Sequence, residues 1–332
     1  MRFIHRSSTR VIALAAILTL SMSSAVPAAA LFDFDKDDEE APAGAPIAQE
    51  LEFRAYRNIP YTGSFKAIDR EGDSIEYSIV QQPKRGSVEI AEDGVSFIYT
   101  PNKNKTGSDR FTYVATDSNG LRSAPAEVEI IITRAPSDLS YADMEGNAAH
   151  TAAIDLAARK IFTGSRIGEQ YFFEPDRTVS RSEFVAMTMA AAGQTIETVN
   201  VTGFADDEQI PLWAKSYAVS ALRCGVVEGI GTERGIVFNA NAPISFGEAA
   251  TVLNRLLMIT DVDMEELLAD PTTAPWSAQA IANILSVSIV ESGSFSGSNA
   301  MQPVTRDVCA KMLSAAMTLV ENRSTTAWSW LG

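Results

Sequence analysis

Three short segments of the chain place hydroxyl, basic and acidic side chains together where a helix is predicted to begin. A guanidinium beside the free backbone N–H groups of a helix start suits a carboxylate or phosphate ligand. The segments start 65 and 60 residues apart, which indicates an internal repeat. They are Val179-Ser180-Arg181-Ser182-Glu183-Phe184, Ile244-Ser245-Phe246-Gly247-Glu248-Ala249 and Val304-Thr305-Arg306-Asp307-Val308-Cys309.

The same residues also have a purely structural interpretation. In the first two segments a serine precedes a glutamate by three positions, Ser180 with Glu183 and Ser245 with Glu248, which is the pattern of a capping box. Arg181 fits that interpretation less well, because a cation in the first turn opposes the helix dipole. Arg181 is therefore either a ligand-binding residue or a solvated arginine.

Apolar residues follow each segment at the spacing of an amphipathic helix, so each segment predicts a helix with one buried face. The three sets are Phe184, Met187, Thr188, Ala191; Ala249, Val252, Leu253, Leu256; and Cys309, Met312, Leu313, Ala316.

Further short motifs recur at similar intervals to the three predicted helices. Each unit opens on an aromatic or apolar residue followed by Ala-Asp, continues with a first helix that ends near a glycine or serine, and passes through a loop to the capped helix. A unit of helix, loop and helix is too small to bury its own apolar face, so three must pack together. The openings are Tyr141-Ala142-Asp143, Phe204-Ala205-Asp206 and Leu268-Ala269-Asp270; the ends are Ile161-Phe162-Thr163-Gly164, Val226-Val227-Glu228-Gly229 and Ile289-Val290-Glu291-Ser292; the loops carry Phe173-Glu174-Pro175 and Phe238.

This pattern resembles the S-layer homology (SLH) domain in three copies, over roughly residues 139–320. The resemblance implies an all-α, pseudo-threefold assembly whose grooves bind secondary cell-wall glycans, which often carry pyruvate ketals. Carried over residue by residue, it implies glycan contacts from Ser180, Arg181, Ser182, Glu183, Trp213, Ser245, Glu248, Trp276, Thr305, Arg306 and Asp307.

No copy has every element of the family pattern. Copy two has Phe246 in place of the arginine, copy three has Val308 in place of the glutamate, and copy one has Ala148 or His150 at the tryptophan position. We therefore expect at most two competent grooves, and packing of the core is the alternative role for Trp213 and Trp276.

The amino terminus has the features of a secretory signal peptide. Arg2, Arg6 and Arg10 precede an apolar run over residues 11–20 and a small-residue end at residues 28–30. Cleavage after Ala30 is expected. The run is half the ~20 residues of a spanning helix, so a retained anchor is the weaker interpretation.

The charge of the exported chain argues against nucleic acid and anionic membranes as partners. Removing three arginines from a net charge of −15 leaves −18. Cys224 and Cys309 are too few for a disulfide framework and occupy apolar helical positions, which predicts buried thiols; whether they pair is left open. His150 is the one histidine after residue 30, which makes a zinc site improbable.

Between residues 47 and 134 the hydrophobic period changes to two, as in Ile75, Tyr77, Ile79 and in Val95, Phe97, Tyr99. With turns at residues 71–73, 93–94 and 119–120, this predicts about seven short strands in an antiparallel β-sandwich.

The segments at residues 69–77, 97–101 and 107–120 resemble bacterial cadherin-like and immunoglobulin-like repeats of surface proteins. Members of that class act mostly as spacers or adhesive modules. Asp69, Asp73 and Asp117 are Ca²⁺ candidates, and turn formation explains the same residues.

The predicted organisation is thus multidomain: signal peptide 1–30, acidic disordered leader 31–46, Ig-like or cadherin-like sandwich 47–134, repeats at 135–200, 201–264 and 265–323, and a tail at 324–332 that contains Trp328 and Trp330.

The predicted function is a non-catalytic, secreted surface protein that the repeats anchor to an anionic cell-wall polysaccharide. Other surface proteins are further candidate partners, and no cofactor beyond Ca²⁺ is indicated. The alternative is an adhesive or Ca²⁺-dependent module on a decayed repeat scaffold. An enzyme is disfavoured, because nothing near His150 resembles a nucleophile elbow.

Overall fold

The alternating segment folds into two packed sheets. In the computed structural model, which describes residues 42–136, 139–263, 274–290 and 300–329, the strands of this region are β1 (Ile47–Ala48), β2 (Leu51–Tyr56), β3 (Tyr61–Ser64), β4 (Ala67–Ile68), β5 (Ile75–Gln81), β6 (Gly86–Ile90), β7 (Ser96–Pro101), β8 (Gly107–Asp117) and β9 (Ala126–Thr133). One sheet has the order β2-β9-β8-β5 and the other β3-β7-β6, with a small β1–β4 pair beside them.

The sandwich differs from the predicted antiparallel arrangement at one edge. β2 and β9, the last strand of the domain, pair in parallel, with Leu51 opposite Val128. The core is aromatic and closely packed; Phe97, Phe111 and Tyr113 are fully buried. Residues 42–45 form a turn with Ala45 N donating to Pro42 O at 3.0 Å, so this end of the expected disordered leader is ordered.

The second region contains six helices among its described residues. They are α1 (His150–Ala158), α2 (Arg181–Ala191), α3 (Leu212–Arg223), α4 (Phe246–Leu257), α5 (Pro275–Ser286) and α6 (Arg306–Ser329). Two β-hairpins fill the predicted loops: β10 (Ser165–Ile167) with β11 (Gln170–Phe172), and β12 (Ile230–Thr232) with β13 (Gly235–Val237).

The first helices end earlier than the sequence predicted. α1 stops at Ala158 and α3 at Arg223, whereas the glycine landmarks lie at Gly164 and Gly229. Both glycines have positive φ and abut the hairpin that follows: a Cβ on Gly164 would lie 2.2 Å from Phe172 O. The glycines therefore mark a close backbone approach and not the helix end.

Each capped helix packs against the first helix of the next repeat, not of its own. The pairs are α2 with α3, α4 with α5, and α6 with α1. The last pair joins the third repeat to the first and closes the three repeats into a ring. This pairing is how units that cannot bury their own apolar face form one shared core.

Three backbone hydrogen bonds link the residues that precede the helix caps into a closed triangle. Val179 N donates to Val304 O at 2.9 Å, Val304 N to Ile244 O at 2.9 Å, and Ile244 N to Val179 O at 3.0 Å. All three residues are buried. The segments that precede α2, α4 and α6 therefore meet at one place in the core.

Several predictions lie outside the described residues: the signal peptide, residues 31–41 of the leader, the third opening at residues 268–270 and Trp330. No helix in the described part of the chain is long and apolar enough to span a membrane. The α6 backbone continues to Ser329, beyond the predicted end of repeat 3 at residue 323.

Candidate functional site

The capped helix starts lie where neighbouring repeats meet. We name these contacts the 1–2 seam (Arg181 with Glu248), the 2–3 seam (Phe246 with Gln302) and the 3–1 seam (Arg306 with Glu174). The predicted capping boxes are present at α2 and α4: Ser180 and Ser245 each accept from the backbone N–H of the glutamate three positions on, and that glutamate accepts in return. At the start of α6, Asp307 Oδ1 accepts from Val308 N at 2.7 Å and from Thr305 Oγ1.

The backbone N–H groups expected to face a ligand are occupied by the neighbouring repeat. Arg181 N donates to Ala242 O, Phe246 N to Gln302 O and Arg306 N to Arg177 O, each at 2.9 Å. Ser182 continues this contact, with its N–H and its hydroxyl both donating to Ala240 O, at 3.0 and 2.8 Å. These donors hold the ring together, so the expected anion site at the helix starts is not formed by them.

The side chain of Arg181 also bonds to another residue of the protein. Its Nη1 donates to Glu248 Oε1 at 3.0 Å, and its guanidinium carbon lies 5.7 Å from the centre of the Phe238 ring. The residue is 8% exposed, and burial lowers the pKa of the guanidinium while Glu248 opposes that shift. Arg181 is therefore a buried, ion-paired side chain and not the solvated arginine of the alternative interpretation.

Arg306 occupies the equivalent position at the 3–1 seam. Its Nη1 donates to Phe173 O at 2.9 Å and to Glu174 Oε2 at 3.0 Å, and its guanidinium carbon lies 4.8 Å from the centre of the Phe162 ring. It lines a cavity of about 10 Å³ together with Glu183 and Cys309. That volume is the size of one water molecule and too small for a sugar.

The 2–3 seam replaces the ion pair by apolar side chains. Phe246 occupies the position of the arginine and Val308 that of the glutamate, and both lie in the same core cluster. The two departures from the family pattern, one in copy two and one in copy three, therefore fall at the positions that correspond to Arg181 and Glu248.

The two predicted tryptophans are the site residues most open to solvent. Trp213 on α3 is 52% exposed and Trp276 on α5 is 55% exposed, so neither is the core residue of the alternative interpretation. A Cβ on Gly247 would lie 3.1 Å from the Trp276 ring, which places this ring beside the start of α4. In copy one, buried Ala149 corresponds to buried Ala214, which puts exposed Ala148 at the tryptophan position.

The opening aspartates have a structural role that sequence reasoning did not assign. The carboxylate of Asp143 accepts from Phe173 N at 2.9 Å and Glu174 N at 2.7 Å, and Asp206 accepts from Phe238 N and Asn239 N, both at 2.8 Å. Each aspartate fixes the loop that presents a partner to an arginine. Glu174 itself was named only as part of a loop landmark, because its partner Arg306 is 132 residues away.

The three Ca²⁺ candidates in the sandwich converge. One carboxylate oxygen from each of Asp69, Asp73 and Asp117 lies within 4.8 Å of the others. Asp69 Oδ1 accepts from Glu71 N and Asp73 N at 3.0 Å, as turn formation predicts. Asp69 Oδ2 is buried and has no hydrogen-bond partner among the described residues. Oxygen ligands of this kind fit Ca²⁺, although three carboxylates supply only part of its usual six to eight oxygens.

The cysteines do not pair in the structure. Cys309 is buried, and burial raises the pKa of its thiol, whereas Cys224 is exposed at the end of α3. The expectation of two buried thiols is wrong for Cys224.

Comparison with known families gives a match for the first region. Residues 43–131 match the family model described as the bacterial Ig domain. The predicted Ig-like sandwich is thereby confirmed. The match begins four residues before the predicted start at residue 47.

One curated relative extends the comparison beyond this domain. Over 142 residues the chain is 30% identical to the surface-layer 125 kDa protein of Lysinibacillus sphaericus. The alignment covers 41% of this chain and 12% of the relative, so the chain spans a small part of that protein's length.

Similarities to solved structures are partial. Human protocadherin-24 is 12% identical over 28% of this chain and 46% of its own, with a TM-score of 0.23. An adhesin of Streptococcus sanguinis is 17% identical over 30% of this chain and 60% of its own, with a TM-score of 0.22. A variant endo-fucoidan hydrolase of glycoside hydrolase family 107 is 19% identical over 28% of this chain and 14% of its own, with a TM-score of 0.23. Matches at these TM-scores carry no argument about function.

Proposed function

We propose that the protein is a non-catalytic, secreted protein of the bacterial cell surface whose three SLH-like repeats bind a cell-wall polysaccharide without a covalent bond. The Ig-like sandwich is displayed beside the repeats. A relative named as a surface-layer protein and the bacterial Ig domain support the surface location. The observation that carries the binding role is the pair of half-exposed tryptophans at two equivalent seams.

The tryptophans suit a sugar because an exposed indole offers a flat apolar face for stacking, with an N–H at its edge. The apolar surface that a half-exposed tryptophan presents to water is removed from water when a partner covers it, and this burial favours binding. Trp213 and Trp276 lie at the starts of the first helices of consecutive repeats, and the Trp276 ring lies beside the start of α4. Two exposed indole faces on the ring of repeats provide two separate contacts for a polymer.

We infer a different role for the two arginines from the one that the sequence suggested. Arg181 and Arg306 are buried and paired with Glu248 and Glu174, so a ligand carboxylate would have to displace a protein carboxylate. We assign them to the architecture of the seams. The proposal therefore keeps a wall polysaccharide as the ligand and does not depend on its carrying acidic groups.

The test is sedimentation of the mature protein with purified cell-wall sacculi. We expect Trp213→Ala with Trp276→Ala to reduce the bound fraction at least about tenfold, since central aromatic contacts commonly dominate binding. Leu212→Ala is the matched control, because Leu212 is 67% exposed beside Trp213 on the same helix. Acid hydrolysis of the non-peptidoglycan glycan should abolish sedimentation.

Two results would overturn this proposal. Wild-type protein that stays in the supernatant would remove the wall as a partner. Double-tryptophan protein that sediments like the wild type would remove the tryptophans as the contact.

A second candidate function is Ca²⁺-dependent adhesion through the sandwich. The buried, unpartnered Asp69 Oδ2 among converging carboxylates favours it. Calorimetric titration with CaCl₂ should show one binding event that Asp73→Asn weakens. Asp93→Asn is the control, because Asp93 forms a turn elsewhere in the sandwich by accepting from Ser96 N. Absence of heat in the wild type would leave turn formation as the role of the cluster.

A further inference from the structure

The 3–1 seam differs from the other two because no short connection joins its helices. α2 leads to α3 and α4 leads to α5 along the chain, so these pairs stay close even when their contacts loosen. α1 and α6 come from opposite ends of the repeat region, and only tertiary contacts bring them together. The ring therefore opens most readily between α1 and α6.

One residue of the sandwich reaches into this seam. Tyr56, the last residue of β2, is 5% exposed and packs within the helical core cluster. Its hydroxyl donates to Asp155 Oδ1 on α1, and Ser314 Oγ on α6 donates to Asp155 Oδ2 at 2.9 Å. One carboxylate thus joins the sandwich, the first helix and the last helix. Burial is the largest cause of a raised pKa of Tyr56, and the hydrogen bond to Asp155 raises that pKa further. The hydroxyl therefore stays protonated and remains a donor.

Other contacts hold the sandwich against the same region. Ile59, just after β2, and Leu139 in the connecting segment pack on the helical core. Lys66 Nζ donates to Ser288 Oγ of repeat 3 at 3.2 Å. The sandwich therefore contacts both repeats that form the 3–1 seam.

We propose that the Ig-like sandwich acts as a clasp that keeps the repeat ring closed at the 3–1 seam. When the sandwich is displaced, Asp155 loses its tyrosine partner and α1 separates more easily from α6. Leu156, the neighbour of Asp155, lines the cavity that holds Arg306 and Cys309, so this separation exposes both. A partner that pulls on the sandwich would thereby change access to the seam, whether or not the ring binds wall polysaccharide.

The experiment measures thiol labelling of the full mature chain, with each cysteine followed by peptide mass spectrometry. Cys309 is 1% exposed and reports seam opening, while exposed Cys224 is an internal control. We expect Tyr56→Phe, which keeps the ring and removes the hydroxyl, to raise the Cys309 labelling rate about fivefold, the effect of one hydrogen bond. The Cys224 rate should not change.

Two further variants separate the clasp from general loss of stability. Tyr99→Phe removes a comparable Tyr-to-Asp hydrogen bond, to Asp109 Oδ2 at 2.9 Å, inside the sandwich. It should leave the Cys309 rate at the wild-type value. Ser314→Ala acts on the same carboxylate from α6 and should raise that rate. An unchanged rate in Tyr56→Phe and Ser314→Ala, or an equal rise in Tyr99→Phe, overturns the clasp.

Discussion

The 1–2 seam and the 2–3 seam share one backbone arrangement and differ in their side chains. Arg181 N and Phe246 N each donate to the next repeat at 2.9 Å. Arg181 and Glu248 form an ion pair in the 1–2 seam, whereas the corresponding residues of the 2–3 seam, Phe246 and Val308, are apolar and belong to the helical core. The backbone triangle fixes the distance between repeats. The side chains then need only be complementary, in charge or in shape.

This comparison explains why the repeats are imperfect. Removing only the arginine would leave a glutamate facing an apolar residue, and burying an unpaired charge is costly. Both charged residues are present at the 1–2 seam, and both corresponding positions are apolar at the 2–3 seam. The departures of copies two and three therefore fall at the two positions that form an ion pair in the 1–2 seam.

The largest expected effect comes from the apolar seam. Phe246→Ala should lower the free energy of unfolding by about 3 kcal/mol, since it removes a ring that is 9% exposed. Urea unfolding followed by circular dichroism measures this. The control Leu212→Ala, at a position 67% exposed, should cost less than about 0.5 kcal/mol. Equal costs at the two positions would show that the apolar seam contributes nothing.

Arg181→Ala should cost about 2 kcal/mol, because it leaves Glu248 without its partner and removes a buried side chain. An exposed arginine, as the sequence suggested, would cost less than about 0.5 kcal/mol. Arg110→Ala is the matched control. The side chains of Arg110 and its partner Glu127 are 66% and 44% exposed, so this ion pair contributes at most about 1 kcal/mol to the free energy of unfolding. Equal urea midpoints for the two variants would contradict the buried pair.

Converting the 1–2 seam to the 2–3 type tests the replacement of the ion pair by apolar side chains directly. Arg181→Phe with Glu248→Val should be less destabilising than the sum of the single variants, by about 1 kcal/mol. Glu248→Val also removes the cap of α4, at a cost of about 1 kcal/mol, and the double-mutant cycle cancels that term. Strict additivity would mean that the two side chains do not interact.

The smallest expected effect is a pH dependence of stability that arises at the charged 3–1 seam. Hydrogen bonds from Arg177 and Ser165, and then the charge of Arg306, lower the pKa of Glu174. A carboxyl group whose pKa is lower in the folded state stabilises the fold at pH values above its ordinary, unfolded-state pKa. That stabilisation disappears as the pH falls through the lowered pKa of the folded state. The difference in melting temperature between wild type and Glu174→Gln should therefore shrink from pH 7 to pH 3. The difference for Phe246→Leu should stay constant, and parallel curves would exclude a role for the charge.

Much of the local structure followed from short-range patterns. The capping boxes of Ser180 and Ser245 and the buried faces behind them appear as predicted, because their contacts lie within one or two helical turns. The sandwich followed from its alternation, except for the parallel β2–β9 pair, which joins the two ends of the domain. The aspartate clamps of Asp143 and Asp206 were missed, because they bond residues about 30 positions away.

The sequence by itself determined where helices begin, which faces they bury and that three similar units follow a β-sandwich. Only the tertiary structure decided that the charged groups at the helix starts serve the ring. Arg181 and Glu248 are 67 residues apart, and Tyr56 and Asp155 are 99 apart. The sequence pattern specifies that a guanidinium is available at a helix start. Which carboxylate pairs with it, and whether water remains around it, depend on how the repeats close.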